Sequence, residues 1–320
     1  MTNLVPNIWA GIVIPMPFAA LALVLRFKAR RMTRMGIGYD DGLCVAAWLL
    51  AVVFSAIVLI CVQHFKLGQK IGQLPLSQID YYLEKLKYSL FISEFFYSWS
   101  IFLSKLAVLT FYRRMFQLLP IRWPILILTL ACVVWILIRT FMTILRCWPV
   151  QYFWDRSING RCTINTATYY FATDLTHSLL DTLILALPLF EVLRMKLPLG
   201  QKIAIAGLFS CGFLVCIASI FQVIQAQKYN PNSLETPYQL ALSLTWSGVE
   251  LHMAIFASCL ALLRPIFRKL LPGLSTGDSS GASRPSLALH PSSSFRNAVR
   301  SPRDEEASNS HLTITTDSVG

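Results

Sequence analysis

The chain has 320 residues, 55% of them hydrophobic and only 14% charged, with a mean hydropathy of +0.56 and a formal net charge of +12. Soluble chains average about 45–50% apolar and about 25% charged residues. The missing charge excludes a soluble two-domain enzyme and a disulfide-stapled secreted module, and it makes lipid the expected solvent.

A helix needs about 20 mostly apolar residues to cross the hydrocarbon layer. Seven stretches meet that length in chain order, at about 8–25, 43–62, 88–111, 123–145, 169–192, 203–227 and 238–263. The first, second and sixth carry no Asp, Glu, Lys or Arg at all. The links between them are short, so consecutive helices are expected to be antiparallel neighbours. The predicted fold class is therefore an all-α membrane protein, a seven-transmembrane-helix bundle over residues 1–272.

Positive charge follows the first span, at Arg26, Lys28, Arg30, Arg31 and Arg34, and none precedes it. That order is the reverse of a cleaved signal peptide. With the N-terminus outside, and the tail after residue 272 left aside, fourteen Lys and Arg flank the spans on the cytoplasmic side of the membrane and eight on the outer side. The inner set includes Arg113, Arg114, Arg122, Arg194, Lys196, Lys202, Arg264, Arg268 and Lys269. The bias predicts N-terminus out and C-terminus in the cytoplasm. It also accounts for the net charge, since basic flanks are drawn to anionic lipid. A nucleic-acid partner is not expected, because nothing here resembles a soluble basic surface with groove-reading elements.

Six of the eight cysteines lie in apolar stretches and read as small packing residues. Cys147 and Cys162 sit instead in the predicted outer loop, 15 residues apart. An oxidising compartment would let them form a disulfide; the alternative is two unpaired thiols. Residues 273–320 are Ser- and Thr-rich and short of apolar groups, so a disordered cytoplasmic tail is expected there.

Ionisable side chains at bilayer depth are costly unless paired, and they mark function by default. They are Glu94 and Lys105 in the third span, Arg139 in the fourth, Asp174, His177 and Asp181 in the fifth, and Glu250 and His252 in the seventh. The spacing i, i+3, i+7 puts Asp174, His177 and Asp181 on one helix face. Arg139 can pair with Glu94 or Asp174, and Lys105 with Asp181 or Glu250. Three readings stay open. The cluster is a set of structural ion pairs, a ligand pocket between helices, or an intramembrane enzyme working through Asp181, Glu250, His177 and His252. No zinc-type spacing supports the last, so no metal and no cofactor are expected. Asp40 and Asp41, ahead of the second span, read as helix-capping carboxylates or as a cytoplasmic contact.

Six motifs then occur in register. They are Arg31…Asp40-Asp41, Lys105-Leu106…Phe111-Tyr112-Arg113-Arg114-Met115-Phe116, Cys147-x-Pro149…Trp154…Cys162, Asp181…Pro188…Arg194, Gln201-Lys202-Ile203, and Trp246…Glu250…Leu263-Arg264-Pro265. With them the chain resembles the fungal rhodopsin-domain family of seven-helix integral membrane proteins. That family includes a satratoxin-cluster membrane protein and has pathogenicity-associated, receptor-like relatives. The resemblance implies a receptor-like or accessory role beside a secondary-metabolite pathway, with a small apolar metabolite as ligand. Three residue patterns set limits on it. The third span ends Phe111-Tyr112-Arg113-Arg114 without an Asp-Arg-Tyr signature, and the seventh lacks Asn-Pro-x-x-Tyr, which speaks against G-protein coupling. The seventh span, 238–263, has no lysine for a Schiff base, so retinal is not expected either.

Overall fold

In the computed structural model the described residues are 3–33, 36, 38–70, 75–115, 119–194, 199–228 and 235–270. They form eight helices: α1 (Val5–Val13), α2 (Pro15–Thr33), α3 (Tyr39–His64), α4 (Leu76–Met115), α5 (Leu119–Leu145), α6 (Thr166–Arg194), α7 (Leu199–Lys228) and α8 (Thr236–Leu270). α1 and α2 continue as one apolar stretch, Val5–Met32. The break between them falls where Pro15 and Pro17 remove two backbone donors. Counted this way, there are seven helical rods. The expected tail, and the side chains of Arg194, Lys196, Lys202, Arg264, Arg268 and Lys269, lie outside the described residues.

Five of the rods are long and apolar enough to cross a membrane: Val5–Met32, Tyr39–His64, Gln78–Arg114, Arg122–Leu145 and Thr236–Leu260. α5 shows what such a rod turns outward. Leu126, Ile127, Leu130, Val134, Leu137, Ile138 and Phe141 are all exposed along it. A large apolar face of this kind is stable in lipid and a liability in water. α4 is the opposite case. It is 56% buried in its most apolar window against 28% for α5, because it packs on α3, α5, α6 and α8. α8 is equally central, packed on α1, α2, α3, α4 and α7. Small residues allow that closeness. A Cβ added at Gly11 would sit 2.3 Å from Thr245 Cγ2, and one at Gly248 would sit 2.9 Å from Ile12 Cγ1.

One end of the bundle is closed by loops. A two-stranded antiparallel ladder, β1 (Cys147–Trp148) with β2 (Arg161–Cys162), places Cys147 opposite Cys162, and a disulfide joins them. The ladder itself has no alternating apolar pattern that would reveal it in the sequence. Within its loop Asp155 accepts the Ser157 hydroxyl at 2.6 Å and its N–H at 2.9 Å. These bonds hold the Asp155 carboxyl below the usual carboxylate range. Nearby, Gly68 donates to Pro237 O and accepts from Leu4 N–H, tying three segments together. Gly68 has φ +85°, and a Cβ there would meet Ile8 Cδ1 at 2.9 Å, so glycine is required.

Candidate functional site

The buried charge is arranged in layers down the bundle axis. At the end away from the hairpin, Arg26 and Arg30 on α2 meet Asp40 and Asp41 on α3. Arg26 Nε lies 2.7 Å from Asp41 Oδ1 and Arg30 Nε 2.9 Å from Asp41 Oδ2, and both guanidinium groups also bond Asp40. Arg26 Nη1 donates to Ser258 O on α8 at 2.9 Å. Asp41 Oδ2 also accepts the Gly38 N–H at 2.9 Å, which caps the start of α3. Arg26 and Arg30, read above as basic flanks on the cytoplasmic side, are buried. Their stems run back along α2 and deliver the charge to α3. Arg114 stands 3.9 Å from Asp40, and Arg113 is exposed.

At the hairpin end, Arg146 contacts Glu94 at 3.4 Å and lies 4.0 Å over the Phe153 ring. Arg146 is fully buried although it stands one residue beyond the last apolar turn of α5. One layer deeper, Arg139 pairs with Asp174 at 3.1 Å and leaves Glu94 to Arg146. The Arg139 guanidinium lies 5.4 Å from the rings of both Tyr97 and Trp135.

The third layer is central. Tyr97 OH donates to Glu250 Oε2 at 2.5 Å and is 3.1 Å from Gln222 Oε1. Glu250 Oε1 meets His177 Nε2 at 2.7 Å and the Ser219 hydroxyl. His177 stacks on Trp135 and leans toward Asp181 Oδ2 at 3.3 Å. Lys105 closes the layer by donating to Asp181 Oδ1. His252 does not belong here. It points the other way from α8 and meets Ser55 of α3 at 3.0 Å. Two residues apart on a helix, Glu250 and His252 face different neighbours.

His177, Asp181 and Glu250 offer three donor atoms within 4.8 Å of one another, a spacing that a metal ion could bridge. The rest of the donor set fits a metal poorly. Metal-bound histidines donate their second nitrogen to an acceptor. His177 Nδ1 finds none among the described residues. Lys105 already neutralises Asp181, so a divalent ion would leave the layer with net positive charge.

Two cavities flank this layer. The one toward the hairpin is bordered by Tyr97, Arg139, Asp174, Gln222, Gln239 and Ser243, with Phe54 and Leu244 among its apolar walls. The other, toward Arg26, is bordered by Lys105, Asp181, Tyr112 and Gly212. Tyr97, Ser219 and Gln222 are neutral residues in apolar stretches, and no sequence signal separates them from packing residues. Arg146 was hidden by its place at a helix end.

Apolar rods with a buried, charge-paired interior define a multi-pass integral membrane protein. The chain belongs to the fungal rhodopsin domain family, which is matched over residues 25–269. It is 26% identical over 258 residues to the Wortmanamides biosynthesis cluster protein C of Talaromyces wortmannii, covering 80% of this chain and 68% of that one. It is 28% identical over 181 residues to an SAT4 family membrane protein of Emericella nidulans, covering 55% and 44%. Against Receptor GIN3 of Arthrobotrys oligospora it is 24% identical over 273 residues, covering 83% and 64%. The chain thus spans between 44% and 68% of these relatives' lengths. No solved structure matches it.

Proposed function

We propose that this chain is a receptor-like or accessory membrane protein that crosses the bilayer seven times and recognises a small metabolite of a fungal biosynthetic pathway. The hairpin end faces outside and the Arg26 end faces the cytoplasm. One observation carries the reading: the cavity toward the hairpin, which lies between helices as pockets in bundles do. Its lining refines the ligand. Beside Phe54 and Leu244 it presents Gln222, Gln239 and Ser243. Gln222 Nε2 is buried there without a hydrogen-bond partner among the described residues, and a wholly apolar molecule would leave it unpaired, at a cost of about 1–3 kcal/mol. The ligand is therefore an amphiphile, an apolar skeleton carrying oxygen or nitrogen groups. Its net charge is near zero, because Arg139 and Asp174 already neutralise each other in the wall.

The relatives support the setting, since they include biosynthesis-cluster proteins and a receptor. The runner-up is an intramembrane enzyme acting through His177, Asp181 and Glu250, favoured only by their convergence. Metabolite profiling of a deletion strain separates the two. Uniformly lowered output of a pathway is the expected result. A missing late product with an accumulated precursor would favour the enzyme, and a wild-type profile would remove the biosynthetic role altogether.

A further inference from the structure

A line of proton-bearing groups lies between the two cavities. Tyr97 borders the first cavity and Asp181 the second. Tyr97 OH donates to Glu250 Oε2 at 2.5 Å and Glu250 Oε1 meets His177 Nε2 at 2.7 Å, while His177 Nε2 approaches Asp181 Oδ2 to 3.3 Å without a hydrogen bond between them. We propose that this line is a proton relay across the middle of the bundle, and that its substrate is the proton itself.

Charge balance supplies the second argument. From α4, Tyr97 and Lys105 face the layer; from α5, Trp135 and Arg139; from α6, Asp174 and Asp181; from α7, Ser219 and Gln222; and from α8, Glu250. α3 brings Phe54 against Tyr97. Arg139 and Asp174 cancel, as do Lys105 and Asp181. Glu250 remains, fully buried, and among the described residues His177 is its one source of positive charge. An unbalanced charge at this depth is expensive. One proton held between His177 and Glu250 restores neutrality, whereas a divalent ion would overshoot it.

Proton transfer along the line is balanced at every step. A proton arriving from the first cavity binds Tyr97 oxygen as the Tyr97 hydroxyl proton passes to Glu250. His177 gives the proton it shares with Glu250 from Nε2 to Asp181 Oδ2; the Glu250 carboxyl then turns to carry the proton received on Oε2 to the His177 side, and Nε2 takes it, which restores the shared proton. Asp181 Oδ2 is buried and without a hydrogen-bond donor among the described residues, so it stands as a free acceptor. Lys105 donates to the other oxygen of Asp181. The Asp181 side chain is 15% exposed, and through the second cavity the proton leaves. One proton enters, one departs, and no group is oxidised or consumed.

The test uses the full chain in phosphatidylcholine vesicles loaded with a pH-sensitive dye, under a potential clamped by potassium and valinomycin. The lumen should acidify faster than in protein-free vesicles, with no ligand added. Tyr97→Phe, which removes one oxygen atom, and Glu250→Gln should each abolish the excess rate. If a purified variant is unstable, native membrane vesicles carrying it give the same reading. Wild-type protein that is folded yet no faster than empty vesicles would overturn the relay. So would either variant conducting at the wild-type rate.

Discussion

Asp41 accepts from Arg26, Arg30 and the Gly38 N–H while buried beneath α2. Removing one partner from a buried ion network strands the others, at about 3–5 kcal/mol. Asp41→Ala should therefore lower the melting temperature in detergent far more than Arg113→Ala, since Arg113 is exposed. Equal effects would show that the α2–α3 cluster adds nothing to stability. This cluster also shows what is legible in a sequence. Ionisable residues inside apolar runs stand out because lipid makes them rare, so Glu94, Lys105, Arg139, Asp174, His177, Asp181 and Glu250 were visible. Arg26, Arg30 and Arg146 stand at the ends of such runs, where basic residues are ordinary. Only the fold shows their stems turning inward. Tyr97, Ser219 and Gln222 carry no charge, and nothing in the sequence distinguishes them from their neighbours.

At the scale of elements, apolar length finds rods but not their ends. α4 runs from Leu76, twelve residues before the expected 88, because residues such as Glu84, Lys85 and Lys87 suit a helix that extends beyond the hydrocarbon layer. The proline break between α1 and α2 is likewise invisible to a hydropathy count. The cysteine spacing did point to the hairpin, whose disulfide closes a segment with a sequence separation of 15. Closing a loop of that size restricts the unfolded chain by about 3 kcal/mol. Replacing both Cys147 and Cys162 by Ser should lower the melting temperature and loosen the first cavity, where Glu94 and Tyr170 connect the wall to Arg146. Non-reducing peptide mapping checks the bond itself, and two free thiols in folded protein would sink it.

At the scale of the whole molecule, the family and the apolar rods establish a membrane protein, and the proposed direction of insertion rests on charge. Five basic residues follow the first span and none precedes it. A reporter fused at the C-terminus should be reachable from the cytoplasm and protected outside; the opposite pattern would invert the assignment. It would also place the hairpin and its cavity on the cytoplasmic side, where a disulfide does not persist.

Ser243, in the wall of the cavity toward the hairpin, allows a direct test of the proposed metabolite recognition. Ser243→Phe fills that space while leaving every buried ion pair intact. In a deletion strain carrying this variant at wild-type membrane abundance, metabolite output should stay at the deletion level. Full restoration of the wild-type profile by Ser243→Phe would contradict the account.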